Sequence, residues 1–391
     1  MKKYLLSFLM MAMGAVLVTS CLSDDNSDKN DSSTIVTTTG LYVINNGTWN
    51  QNNGSMTYFD YEKLTATQVL QGAGGLGDTP NDAYTKGDTI FVVGSTENTI
   101  FAIDKKNLNI IRQVSTTAEM GEAEGYNPRH ITGYNNKLYF TTYGGYVGEL
   151  DANSLSLTNK WKVGSAPEGI AIGGTSAAPI LLVANSDYGY GNASVSKITI
   201  SSDQVETITN DKIRNPQEIL ADENGFYFLD WGYYDENWNQ KEAGLYYYVN
   251  SSKSVSKIIS DATGMGVGLV YLNGYAVGYN IVTFNDPYGN TGKPTYTRFN
   301  SYFKTTDQLS LYGDTGMEII SPAAIAVDPV TGNIVIASRS KDPDTGYTSY
   351  TLPGYANMYS SEGRYIENSH FQTGIEPHMI GFTLGKVTIN Y

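Results

Sequence analysis

The sequence predicts an all-β chain folded as a seven-bladed β-propeller. Three observations lead there: a short proline-centred motif recurs at a blade-length interval, a strand-type run follows each copy, and the two termini supply complementary parts of one blade. Repeats at this period read as stacked four-stranded units, each of which buries its apolar faces only against its neighbours.

The motif is a proline, two variable positions and an apolar residue that opens a small or β-branched run. It occurs as Thr79–Ala83, Asn127–Ile131, Ala166–Ile170, Asn215–Ile219, Ser321–Ile325 and Glu376–Ile380. Gly264–Leu269 fills the gap between the fourth and fifth of these copies without its proline. The copies are spaced about 40 to 55 residues apart, the length of a propeller blade. Proline suits the first residue of an inner strand, where a missing N–H costs little and the preceding residue is expected to be extended.

Aromatic or β-branched runs follow, as in Thr89–Gly94, Lys137–Thr142, Pro179–Asn185, Gly225–Asp230, Gly274–Tyr279 and Asn333–Ser338. A third, alternating run comes next in each unit, so the unit reads as an antiparallel meander. Gly40–Gly47 and Ser55–Asp60 look like second and third strands with no inner strand before them, whereas the C-terminal Glu376–Phe382 is an inner strand without partners. Joined, they complete a blade from both ends of the chain and remove the open sheet edges. Residues 40–391 form the predicted propeller; a two-domain all-β arrangement is the alternative.

Before it, residues 1–20 carry Lys2 and Lys3, an apolar run from Tyr4 to Val18, and Val18-Thr19-Ser20 directly ahead of Cys21, the only cysteine. This is a lipoprotein signal peptide, with an apolar run too short to span a bilayer. Cys21 is the expected lipidation site and residues 21–39, rich in Asp, Ser and Thr, the expected flexible tether. With its cysteine acylated the protein has no disulfide, and its packed core alone must hold it. The net charge of −14 repels polyanions, so nucleic acid is excluded as a partner.

Strands alternate in direction, so the loops entering inner strands share one face of the disc with those joining second and third strands. On that face the loops are long and aromatic: Asn45–Gly54, Asn185–Asn192, Asp230–Gly244, Asn280–Pro294 and Arg339–Gly354. The opposite face has short turns and reads as scaffold. Trp49, Tyr188, Tyr190, Trp231, Tyr233 and Tyr234 are expected to form an aromatic wall, since rigid amphipathic rings set among Asn, Asp and Gly suit a broad polar ligand with apolar faces. The variable motif positions Asn81, Asp82, Arg129, His130, Glu168, Gln217, Glu218 and His378 converge on the channel mouth. Asn81, Arg129, His130, Glu168, Gln217 and His378 there, with Tyr143 and Arg339 nearby, are the expected polar contacts.

Signals for catalysis are absent: three histidines form no HExxH pair, there is no G-x-S-x-G elbow, and Gly72–Asp78 precedes no helix that would cradle phosphate. Glu119, Glu122 and Glu124 in an inter-blade loop read as solvated acids, and Asp342–Gly346 as an Asx turn rather than a calcium loop. The expectation is a binding protein, not an enzyme, with no metal and no required cofactor.

The stretch from Asn127 to Ile172, with its NPRHI, LYFTTYGGYVGELD and APEGIAI segments, resembles the YncE-like seven-bladed propellers over nearly the whole mature chain. Gly40–Asp60 after a lipobox is similar to surface lipoproteins of Bacteroidetes in that group, and the acidic Leu22–Asn26 resembles their surface-export signal. The resemblance implies an outer-membrane protein facing outward that binds cobalamin or a related corrinoid and passes it to a TonB-dependent transporter of BtuB type. A glycan-binding surface propeller serving another receptor is the alternative.

Overall fold

The computed structural model describes residues 32–72, 74–286 and 293–390. The signal peptide, Cys21 and the first part of the tether lie outside the described residues. Each blade is a four-stranded antiparallel sheet. Blade two runs from the channel outward as Pro80–Lys86, Thr89–Gly94, Thr99–Asp104 and Ile110–Ser115. Blades three, four and five follow with inner strands Pro128–Tyr134, Pro167–Thr175 and Pro216–Asp222. Blade six starts at Gly264–Leu272, as expected for the copy without proline, and blade seven at Pro322–Val327. In blade one the C-terminal strand Pro377–Asn390 is innermost and pairs with Ser32–Asn45, followed by Ser55–Asp60 and Thr65–Val69. The ring is therefore closed by the two termini.

The cores lie in the seams between blades, which explains the apolar runs. In Thr89–Gly94, Ile90 and Val92 point into the seam with blade one, while Phe91 and Val93 point into the seam with blade three. Seven buried apolar clusters result among the described residues, one per seam. Each fully buried Val, Leu, Ile or Phe contributes about 1.5–3 kcal/mol. Outer strands such as Thr65–Val69 and Gln204–Ile208 have a solvent side and are mostly polar.

Three expectations are corrected. The first strand begins at Ser32, not near Gly40, because Ser32–Thr38 pairs with the end of the C-terminal strand, Ser32 opposite Asn390. In four of the six proline copies the residue before the proline is not extended: Thr79, Asn127, Ala166 and Glu376 have φ of 51°, 52°, 46° and 54°, in the left-handed region. Their carbonyls accept the N–H of Ser95, Tyr143, Ser186 and Asn46 at 3.2, 3.1, 3.0 and 2.9 Å, and Asn215 and Ser321, whose φ is not positive, accept from Trp231 and Arg339 in the same way at 3.0 and 2.9 Å. This bond ties the start of the inner strand to the end of the second in all six copies. Finally, the face read as scaffold is not flat. Its turns are short, but two strand pairs are long: the hairpin of Gly264–Leu272 with Tyr275–Asn285, and Ser32–Thr38 paired with the C-terminal end.

Candidate functional site

The proline copies place their variable residues through a bulge. The pairing register shifts immediately after Pro80, Pro128, Pro167, Pro216 and Pro322. Such bulges re-aim the following side chains, here toward the channel mouth. The mouth is two-sided as a result. Blades two to five supply Asn81, Asp82, Arg129, His130, Glu168, Gln217 and Glu218, whereas the corresponding stretches of blades six and seven carry only small or apolar residues such as Gly266 and Ala323.

On the polar side the groups form one network. Arg129 Nε donates to Glu168 Oε2 at 2.9 Å, and Tyr143 Oη donates to Glu168 Oε1. The Arg129 guanidinium lies 4.7 Å from the Tyr143 ring centre. His130 Nδ1 faces Asp82 Oδ2 at 3.3 Å, and its Nε2 is 3.7 Å from Glu168 Oε2. Asp82 also accepts from the Ile131 N–H at 2.9 Å, and Asn81 Nδ2 donates to the Arg129 carbonyl at 2.8 Å. Glu168 is buried and answered by both cation and phenol.

Charges follow from these neighbours. Burial disfavours the His130 imidazolium, but Asp82, with Glu218 and Glu168 behind it, outweighs that and raises its pKa. Burial pushes Glu218 up to about 7 against the opposing pull of His130, with Asp82 and Glu168 adding to the rise. His378 is lowered to about 3 by burial and by the positive Arg129, His130 and Arg339, so it presents a neutral ring. Among the described residues no group of three or more His, Cys, Asp or Glu is arranged to hold a metal ion.

Aromatic side chains rise around this floor in separate groups rather than one wall. Tyr143 meets Tyr188 edge-on at 5.1 Å, and Tyr188 lies 6.1 Å from Tyr190. Their loop is pinned from below, since Ser186 Oγ donates to the Ala166 carbonyl and Asp187 Oδ2 accepts from the Asn192 N–H. Tyr190 is left 83% exposed. Blade five contributes an arm, a two-stranded hairpin of Tyr233–Tyr234 and Gln240–Lys241. Asp235 braces its turn by accepting the N–H groups of Asn237 and Asn239, both at 2.9 Å. At the tip Trp238 has φ of 61°, is 84% exposed and has Tyr234 as its ring neighbour at 6.5 Å. Trp231 fastens the root, with Nε1 donating to the Thr263 carbonyl of the next blade at 3.0 Å, and Tyr233 lies under Arg214. Trp49, 72% exposed, stands on the blade-one loop and makes no ring contact with any described residue.

Two expected polar contacts are engaged elsewhere. Arg339 forms a two-pronged ion pair with Glu376 and covers the Tyr350 ring at 5.3 Å, tying blade seven to blade one. Gln217 folds back, Nε2 donating to Asn215 Oδ1 at 2.7 Å. Asp82 and Glu218 occupy the channel-mouth positions expected of them, although neither stood among the expected polar contacts, and Trp238 lies on its expected loop, although outside the expected wall. The turn that lifts Trp238 shows in the sequence as Asp235 and Asn239 bracketing it, and the two acids occupy motif positions like those of His130. Of the inter-blade acids, Glu124 pairs with Lys160 at 2.6 Å and Glu119 accepts the Leu157 N–H, so both serve packing. Asp342 makes the expected Asx turn, accepting from Asp344 and Thr345. Part of the Asn280–Pro294 loop lies outside the described residues.

A ring of seven antiparallel blades with a polar mouth and an aromatic rim makes the chain a seven-bladed β-propeller. Solved structures agree on the fold. The chain is similar to a hypothetical selenium-binding protein from Sulfolobus tokodaii, with a TM-score of 0.61, 10% identity and coverage of 88% of this chain and 94% of that one. It is also similar to a candidate 6-phosphogluconolactonase from Bacteroides fragilis NCTC 9343, with a TM-score of 0.54, 12% identity and coverage of 88% and 98%. The WD40 β-propeller domain of Doa1 matches with a TM-score of 0.54 and 10% identity, over 77% of this chain and 86% of that one. No protein-family model and no curated protein matches the sequence.

Proposed function

We propose that this propeller is a lipid-anchored cell-surface protein that binds cobalamin or a related corrinoid on its aromatic-rimmed face and delivers it to a TonB-dependent transporter of BtuB type. The observation that carries the reading is the concentration of exposed Trp and Tyr above a hydrogen-bonding floor on one face of the disc. A corrin ring is broad, with amides at its rim; aromatic planes cover its faces while carboxylates, the neutral His378 and the Arg129–Glu168 pair answer the amides. No cobalt ligand from the protein is required. The resemblance of the sequence to the cobalamin-capturing lipoprotein BtuG supports the same reading. Signal peptide cleavage before Cys21 and acylation there complete it, because the chain joins the ring at Ser32, on the face opposite the rim.

The test is direct. Purified protein mixed with cyanocobalamin and passed through a size-exclusion filter retains the red colour. Loss of the colour to the filtrate overturns the reading, and retention of a glycan in its place supports the alternative of a glycan-binding propeller. New reducing ends would instead reveal an enzyme.

A further inference from the structure

The junction between blades one and two holds two buried oxygens that no donor among the described residues answers. One is Asp78 Oδ1, on a side chain only 5% exposed, and the other is the amide oxygen of Asn46. Their backbones meet directly, since the Thr79 N–H donates to the Asn46 carbonyl at 3.1 Å. The loop that carries Trp49 closes over this point: the Asn50 N–H donates to Asp78 Oδ2 at 2.8 Å, and the Gly54 N–H to the Gly77 carbonyl at 2.9 Å. The approach is close enough to require glycine, because a Cβ at Gly54 would stand 2.4 Å from Pro80 Cδ and 2.7 Å from the Gly77 carbonyl oxygen. A further acceptor comes from the exposed Glu97 of blade two, whose Oε1 takes the Asp78 N–H at 3.2 Å.

What these oxygens lack is a positive centre. A buried carboxylate oxygen is almost always met by a donor or a cation, because leaving it bare forfeits its hydration. The local balance is one-sided: Asp78, Asn46 and Glu97 bring acceptors, and among the described residues no lysine, arginine or histidine forms an ion pair with either carboxylate. An all-oxygen donor set selects a hard cation, and an irregular loop suits calcium better than magnesium, which demands a regular octahedron. We propose that Asp78 and Asn46, with Glu97 on the solvent side, form a calcium site that pins the Trp49 loop to the start of blade two. Calcium takes six to eight oxygens, so water completes its shell, and the affinity falls in the range of about 0.1–1 mM typical of extracellular modules. The ion positions the loop that raises Trp49 and touches nothing bound on the rim. The inference is therefore independent of what the rim binds.

The experiment uses the purified protein, stripped with EDTA and titrated with terbium, a calcium mimic whose emission is excited by energy transfer from a nearby indole. Trp49 is the antenna, being next to Asn50, whose N–H reaches Asp78. Terbium emission should appear in the wild type and be displaced by calcium. Trp49→Phe should abolish the emission and keep calcium's effect on the melting temperature, a rise of about 2 °C at a tenfold excess over Kd. Asp78→Asn should weaken terbium binding at least tenfold. An amide there still accepts the Asn50 N–H and adds a donor for the bare oxygens, so in EDTA this variant should melt no lower than the wild type, whereas only the wild type should gain from calcium. That crossover separates a lost ligand from a damaged loop. Absence of terbium emission or of a calcium shift in the wild type overturns the site, leaving a bridging water as the partner of the two oxygens. Emission that survives Trp49→Phe, or that titrates unchanged in Asp78→Asn, puts the ion elsewhere and overturns it equally. If Asp78→Asn unfolds, Glu97→Gln, at an exposed position, decides by the same titration: severalfold weaker binding supports the site and unchanged binding overturns it.

Discussion

Glu218 and Trp238 illustrate two ways in which a side chain on the face that carries the channel mouth and the aromatic rim departs from what stability alone favours. Glu218 holds its proton more tightly folded, with a pKa of about 7, than unfolded, where a glutamate titrates near 4.5. Its contribution is therefore fully present below about pH 4.5 and is lost as pH rises through 7. Glu218→Gln should raise the melting temperature at pH 8 by about 2 °C, the shift expected of about 1 kcal/mol in a chain of this size. It should have little effect at pH 4; equal shifts in calorimetry at the two pH values would contradict the burial argument. Trp238, by contrast, is held in a left-handed conformation at an almost bare tip. The Tyr190→Ala, Trp238→Ala pair should weaken cyanocobalamin binding at least tenfold in titration calorimetry while the melting temperature stays within about 1 °C, because neither ring packs in the core. The convergence of His130 and Glu168 at the channel mouth was legible from their place after the proline. The engagement of Arg339 was not, since its partner Glu376 belongs to another blade and no local pattern joins them.

Among the elements, the inner strand with its bulge and the second strand with its two buried faces were legible, because proline, glycine and apolar alternation act locally. The projecting hairpin of blade six was hidden because a two-residue turn looks the same at the end of a short strand or a long one. Ser32–Thr38 was hidden for a different reason: Ser and Thr read as tether until the C-terminal strand supplies backbone partners. The arm of blade five depends on Asp230, whose buried carboxylate accepts the N–H groups of Arg214, Asn215 and Gly232 at 2.9, 2.9 and 2.7 Å. Burial raises its pKa to about 6 despite those donors. Asp230→Ala strands three donors and should cost about 3 kcal/mol in urea denaturation. A loss below about 1 kcal/mol would mean that water replaces the carboxylate.

For the whole molecule, the count of seven blades and the shared blade were both legible, since the missing inner strand at one end and the orphan one at the other are visible in the repeat itself. What the sequence could not convey is how far the shared blade extends, because Ser32–Thr38 gains a partner only from the end of the C-terminal strand. Removal of Pro377–Tyr391 takes away the inner strand of blade one and exposes the seam apolar residues Leu41, Val43 and Ala324. The truncated protein should elute as aggregates in size-exclusion chromatography and lose its near-ultraviolet circular dichroism; a monomeric elution profile would show that six inner strands suffice.

Thr39 and Thr383 touch across blade one although 344 residues separate them along the polypeptide. Synthesis must therefore finish before the circle can be made, and the nascent chain remains open until its last strand has emerged. Maturation is timed by the carboxyl end: the clasp that makes the ring durable is also what keeps it from locking shut before the last strand exists.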